Sequence, residues 1–99
     1  MSYPYQITSF EQYKEDYKRS VEDPEGFWSD VAQHFHWHKQ WDKVLQWNFK
    51  EPKVEWFSGA KLNITENCID RHLETMGDKP AIIWEPNNPD ERVRVVTYN

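Results

Sequence analysis

Ninety-nine residues with 12 Lys and Arg against 17 Asp and Glu carry a formal net charge of -5, which argues against nucleic acid or an anionic membrane as the main partner. The length supports one small domain over residues 1–99, so any function that needs a cleft between domains requires more chain. Only 37% of the residues are hydrophobic while 16% are aromatic; the core is therefore expected to rest on a few large rings, and at 12.1 kDa surface scaling gives roughly 6,000 Å² folded against about 17,500 Å² unfolded, two-thirds of it buried.

In chain order, Thr8 precedes Phe10, Tyr13, Tyr17 and Val21, whose spacing lines the rings along one helical stripe, and Glu11 completes a T-x-x-E capping box. A first helix is predicted over about 9–20, with Glu15 and Arg19 as an i,i+4 pair on its wet side. Asp23 followed by Pro24 is an N-cap with proline at the first helical position, and Phe27, Trp28, Val31, Ala32 and Phe35 recur at helical spacing in a second helix. From His36 to Gly59 the period is lost: Trp37, Trp41, Trp47, Phe49, Trp56 and Phe57 are scattered among charges, and Pro52 forbids a continuous helix. That stretch reads as an extended aromatic strap lying on something larger than itself, with a short strand over Val54–Phe57 and a candidate linker from Lys50 to Lys53. Asn63 caps a third helix over about 64–76, in which Ile69, Leu73 and Met76 form the apolar face, Cys68 and His72 lie alongside, and Gly77 is the stop. Ile82–Trp84 and Arg92–Tyr98, separated by a Pro- and Asn-rich loop, read as a C-terminal β-hairpin. The fold class is α+β: three helices, the strap and the hairpin. Two strands alone are marginal in water, so the hairpin is expected to belong to a larger sheet and the sequence to be cut short.

Several groupings invite chemistry. His34, His36 and His38 have metal-ligand spacing, yet a closed zinc site needs four ligands and no further Cys or His lies nearby in sequence, so no structural metal is expected. Cys68 and His72 stand at i,i+4, where core packing is favoured over an activated thiol because both adjoin the apolar stripe. Gly26, Gly59 and Gly77 lie too far apart to cradle a phosphate, Ser2, Ser9, Ser20, Ser29 and Ser58 lack a G-x-S-x-G setting, and Glu15 with Asp16 falls on a solvated helix face. Asn63-Ile64-Thr65 matches a glycosylation acceptor, but the capping role of Asn63 is preferred. Trp37 and Trp41 could stack on sugar rings, which keeps a free-standing protein- or carbohydrate-binding module open as a rival reading. A single cysteine, an N-terminus without a signal-peptide pattern and the absence of an apolar run of membrane length predict a cytoplasmic protein with no membrane partner.

Four segments carry a resemblance. E-x-x-K-x-S-V-x-D-P-E-G-F-W (Glu15–Trp28), W-F-S-G-A-K-L-N (Trp56–Asn63), N-C-I-D-R-H-L (Asn67–Leu73) and G-D-K-P-A-I-I-W-E (Gly77–Glu85) resemble the start of the acetyl-coenzyme A synthetase family, from about Ser9 to Tyr98. Propionyl- and acetoacetyl-coenzyme A synthetases share the W-F-x-G-x-x-L-N element, so Trp56, Phe57, Gly59, Leu62 and Asn63 alone do not separate them, whereas Asn67–His72 tips the resemblance toward the acetate enzyme. The resemblance implies a longer parent that adenylates acetate with Mg-ATP and transfers the acetyl group from acetyl-AMP to coenzyme A. It also implies that the phosphate loop, acyl pocket and catalytic lysine come later, so no catalytic, cofactor-binding or metal-binding residue is carried onto this sequence. Its expected partner is the remainder of the parent catalytic domain, onto whose sheet the hairpin docks, and a weak dimer through that hairpin is expected of the isolated chain.

Overall fold

A computed structural model of the chain describes residues 5–99; the first four residues, including Ser2 and the start of the N-terminal pattern read above, lie outside them. The elements in order are α1 (Phe10–Glu22), α2 (Pro24–Ala32), β1 (Trp37–Lys39), β2 (Lys43–Asn48), β3 (Lys53–Ser58), β4 (Lys61–Leu62), α3 (Ile64–Cys68), a 3-10 turn (Asp70–His72), α4 (Leu73–Met76), β5 (Pro80–Trp84) and β6 (Arg94–Thr97). This is the expected α+β class with its C-terminal hairpin. The described residues divide into two compact units, 5–61 and 62–99.

In the first unit the cap of α1 falls one residue later than predicted, at Ser9. Ser9, in extended backbone, accepts from the Gln12 N–H at 3.1 Å, and the Gln12 side-chain oxygen accepts from the Thr8 N–H at 3.1 Å. The cap is therefore Ser9 rather than Thr8 with Glu11, and the Gln12 side chain reaches back one residue beyond the cap, to the Thr8 N–H and hydroxyl, instead of closing a strict capping box on Ser9. Asp23 then does two jobs. Its backbone N–H donates to the Arg19 carbonyl at 2.8 Å and ends α1, while its carboxylate accepts from the Gly26 N–H at 3.1 Å and starts α2, with Pro24 in the first turn as predicted. Arg19 does not keep to the wet face of α1: it pairs with Asp30 of α2, and the i,i+4 pair on α1 is Lys18 with Glu22. α2 closes at Ala32, three residues short of Phe35, and two turn bonds carry the chain onward, from the Phe35 N–H to the Ala32 carbonyl and from the His34 N–H to the Val31 carbonyl.

The aromatic strap is more ordered than its sequence suggests. β2 and β3 form an antiparallel hairpin with Leu45 opposite Trp56 and Trp47 opposite Val54, so one face presents Leu45, Trp47, Val54 and Trp56 and the other Gln46 and Glu55. The stretch read as a linker, Lys50–Lys53, falls at the turn of this hairpin and the start of β3, with the Lys50 N–H bonded to the Asn48 side chain at 2.9 Å. Pro52 breaks helix here by sitting in a turn.

In the second unit the predicted continuous third helix is split. α3 gives way at Ile69 (φ -123°, ψ -66°) to a 3-10 turn and then to one turn of α4. Asn67, Cys68, Ile69 and Asp70 are all weak helix formers, and the polar ones offer their own backbone competing bonds. Asn63 caps α3 as predicted, accepting from the Thr65 N–H at 2.9 Å. β5 and β6 pair antiparallel with Ile82 opposite Val96, Ile83 opposite Val95 and Trp84 opposite Arg94, and a bulge lies between Pro80 and Ile82.

Burial falls well short of the expectation from size. The accessible surface is 8514 Å² against roughly 6,000 Å² for a self-contained monomer of this mass. Ala32 is the one buried hydrophobic residue among those described and Asn67 the one buried polar residue. The chain makes local aromatic contacts without closing a core over them.

Candidate functional site

The densest assembly of large side chains lies in the first unit, where α2, β1 and β3 bring the scattered rings of the strap together. Trp37 meets Trp41 at 5.2 Å between centroids and Phe57 at 5.4 Å, and Trp41 meets Phe57 at 5.3 Å. The Trp37 indole N–H donates to the Ala32 carbonyl at 2.7 Å, which ties this triad to the end of α2. From Phe57 the rings continue through Trp56 to Trp28, whose planes stand at 79° and 6.2 Å, and on to Phe27. Edge-to-face pairs of this kind contribute about 0.5–1.5 kcal/mol each beyond their area. Trp28, Trp56 and Phe57 line an open, almost wholly apolar notch.

Phe57 is placed by backbone strain. Its φ of 48° lies in the left-handed region, the one non-glycine case among the described residues, and a residue with a Cβ is disfavoured there by about 1–2 kcal/mol. The reversal lies inside β3, whose register still sets Ser58 opposite Lys43, and is followed at Gly59 by a φ of 75°, where a Cβ would come within 2.2 Å of an Asp42 carboxylate oxygen. Three ring contacts at Phe57 offset the strain.

The remaining groupings separate rather than converge. His38 lies in β1, His36 just before it, and His34 in the turn after α2 with its ring 4.9 Å from that of Tyr5. No group of three or more His, Cys, Asp or Glu that could hold a metal is found among the described residues. Cys68 and His72 are not on one helix, because the break at Ile69 lies between them; Cys68 is exposed and the His72 ring stands 6.0 Å from that of Tyr98. The predicted core packing of Cys68 is thereby corrected: the residue buried at this turn is Asn67. Its side chain donates to the Asn63 carbonyl at 3.0 Å and accepts from Arg71 at 3.4 Å. The N-C-I-D-R-H-L segment gave no sign of this, since a buried Asn reads like any other polar residue between apolar ones.

The other polar groups have structural partners. Ser9 is a helix cap, the Ser20 hydroxyl donates to the Tyr17 carbonyl at 2.8 Å, and Ser58 joins Gln46 at 3.2 Å and Glu55 at 3.4 Å. Trp37 and Trp41 are half-buried against one another and Phe57, so they do not present the flat, open faces that sugar stacking uses. Tyr5 Oη donates to the Val31 carbonyl at 2.9 Å, and burial, then the nearby Asp30 charge, pushes its phenol up from the ordinary value. Hydrogen bonding to Asp30 likewise raises Arg19. These are braces between the N-terminal segment, α1 and α2. No helix among the described residues is long and apolar enough to cross a membrane.

Among the described residues the glycines are dispersed, and no phosphate-cradling loop opens a helix. What this geometry builds is an aromatic surface with little enclosed beneath it.

Comparison with known proteins supplies the context. A family model described as the acetyl-coenzyme A synthetase N-terminus matches residues 13–68. Acetyl-coenzyme A synthetase of Leptospira biflexa is 50% identical over 92 residues, covering 92% of this chain and 14% of the relative. The enzyme of that name from Magnetococcus marinus is 52% identical over 89 residues, 89% of this chain and 14% of the relative, and that from Bdellovibrio bacteriovorus 47% identical over 88 residues, 88% and 14%. The chain thus spans about 14% of the length of the curated relatives it matches.

Proposed function

This chain belongs to the acetyl-coenzyme A synthetase family, matching its N-terminal segment, and on that premise we propose that it is the scaffold portion of an AMP-forming acetate–coenzyme A ligase. The parent would make acetyl-coenzyme A from acetate, ATP and coenzyme A through acetyl-AMP. ATP, Mg and coenzyme A would be held by the larger part of that enzyme, and the 99 residues contribute no catalytic group. One observation carries the reading: about half of the residues are identical to synthetases of that name over some nine-tenths of this chain. The same matches favour acetate over propionate or acetoacetate, and the mutually engaged Trp37 and Trp41 speak against a free-standing sugar-binding module. A cytoplasmic location belongs to the same proposal, supported by the single cysteine, which leaves no intrachain disulfide to form.

The structural part of the proposal follows from the missing core. α1 exposes Phe10, Tyr13, Tyr17 and Val21 along one stripe, with Lys14 lying 4.5 Å from the centre of the Phe10 ring. Exposed apolar stripes of this length mark surfaces that another body covers, and the remainder of the catalytic domain is the partner proposed. The test is a chimera in which this chain replaces the matching segment of the Leptospira biflexa synthetase. It should form pyrophosphate from ATP in an acetate-dependent manner, while the 99-residue chain alone forms none. Pyrophosphate release by the chain alone, or a folded chimera without activity, would overturn the reading.

A further inference from the structure

Phe57 and Ser58 stand on the opposite faces from those that the pleat of β3 assigns them. The ladder between β2 and β3 runs from Lys43 opposite Ser58 to Asn48 opposite Lys53, and position 57 falls opposite Val44 at the one interior place where the pairing lapses. Regular alternation puts Phe57 with Gln46 and Glu55 on one face and Ser58 with Trp56 on the other. The observed contacts are the reverse. The Phe57 ring meets Trp37 at 5.4 Å, Trp41 at 5.3 Å and Trp56 at 6.1 Å. The Ser58 hydroxyl accepts from the Gln46 amide at 3.2 Å and donates to the Glu55 carboxylate at 3.4 Å. The φ of 48° at Phe57 makes this exchange, much as a bulge re-aims side chains by breaking the pleat at one residue.

We infer that positions 57 and 58 form a two-state switch in which the two side chains exchange faces of the β2–β3 hairpin. The observed form is the closed one, with Phe57 in the ring cluster and Ser58 bonded to Gln46 and Glu55. In the regular form β3 runs extended through Phe57, which pairs with Val44 and carries its ring to the Gln46–Glu55 face, while Ser58 turns toward Trp56. The opposing effects are of similar size. Left-handed backbone disfavours a residue with a Cβ on the order of tenfold. Each ring contact favours the closed form by about two- to tenfold, and the two Ser58 hydrogen bonds, replaced by water in the regular form, by about fivefold. Trp56 stays beside Phe57 in either form as its chain neighbour, and the regular form gains the Val44 pair, so the two lie within about a hundredfold of each other. The ring surface is what changes between them. When Phe57 leaves, Trp37 and Trp41 lose the partner they share, and the notch between Trp28, Trp56 and Phe57 loses a wall. A body packed on the rings therefore holds the closed form, and one packed on the Gln46–Glu55 face holds the regular form.

The test places 4-fluorophenylalanine at position 57 of the 99-residue chain and reads it by fluorine saturation-transfer NMR. Two exchanging signals are expected, the minor one at about 1–10%. Ser58→Ala removes both hydrogen bonds that favour the closed form and should raise the minor population about fivefold, whereas Ser58→Thr keeps the hydroxyl and should leave it within about twofold. Trp41→Leu removes a ring contact and should raise it by about two- to tenfold. Trp47→Leu, on the same hairpin but stacked on Phe49 rather than Phe57, should leave it unmoved. Far-ultraviolet circular dichroism identifies the variants that stay folded, and should Trp41→Leu unfold, Ser58→Ala decides alone. A single signal in the chain and in every folded variant overturns the inference. So does a minor signal that Ser58→Ala leaves unchanged, or one that Trp47→Leu raises as much as Trp41→Leu, since either marks fraying of the hairpin rather than an exchange of faces.

Discussion

Asp23 and Gly26 make a pair whose coupling can be worked out before it is measured. The Asp23 carboxylate accepts from the Gly26 N–H at 3.1 Å, and replacing such a cap by alanine costs roughly 1 kcal/mol. Asp23→Ala should therefore speed opening of α2, seen as amide exchange at Trp28 to Ala32, by about fivefold. Gly26→Ala would stabilise a helix by about 0.5–1 kcal/mol on propensity alone. Here a Cβ at position 26 would stand 2.1 Å from an Asp23 carboxylate oxygen, so the carboxylate must swing away and the cap is lost. Gain and loss nearly cancel, and the single change should be close to neutral. In the double variant there is no carboxylate to displace, so the helix gain appears in full and offsets most of the lost cap. The cycle should give a coupling of about 1 kcal/mol, and Asp23→Asn, which keeps an accepting oxygen, should resemble the parent chain. If Gly26→Ala slows exchange equally with and without Asp23, so that the two changes add, the cap and the contact argued from it are wrong.

Three further outcomes are expected. The Tyr5 phenol is raised above its ordinary value of 10.0, by burial first and Asp30 second, so the Tyr5–Val31 tether is fully present below about pH 10 and is lost as pH climbs through the folded value; a difference titration between the chain and Tyr5→Phe should show a midpoint above 10.0, and one at or below it would refute the assignment. Asn67→Ala removes the two side-chain hydrogen bonds of a buried amide, one to the Asn63 carbonyl and one from Arg71, which should cost about 1–3 kcal/mol in the second unit; a change within 0.3 kcal/mol in denaturant titrations would show that the amide is not structural. Because the three strap histidines do not converge, EDTA should leave the melting curve of the chain unchanged, and a fall of many degrees would return His34, His36 and His38 to the list of ligands.

Legibility in the sequence followed the range of the interactions involved. α2 was readable because Asp23, Pro24 and Gly26 decide its start within four residues, and the C-terminal hairpin because two β-rich runs flank a Pro-Asn loop. The cap of α1 is displaced by one position since Thr8 and Ser9 both qualify and only the Gln12 backbone N–H, which donates to the Ser9 hydroxyl, distinguishes them. β2 was missed because Val44, Leu45 and Trp47 do not alternate cleanly and their pairing with β3 is decided ten or so residues away. The split of the third helix was present in the weak formers from Asn67 to Asp70, but a window that weighs only apolar spacing passes over them. For the candidate site, residue types could be listed in advance, whereas the strained Phe57 that gathers Trp37, Trp41 and Trp56 leaves no mark in composition or period.

The junction at Asp23 has a mechanical side. One residue ends α1 and begins α2, so the two helices meet without a flexible segment, and the Arg19–Asp30 contact spans them like a tie-rod across two struts. Such a joint resists bending but has no slack along the chain. A single inserted residue at this corner would rotate α1 by about a third of a turn and swing its row of rings away from whatever it is meant to meet, even with every side chain in the molecule unchanged. Length at this corner should therefore be constrained more tightly than identity at most exposed positions of either helix.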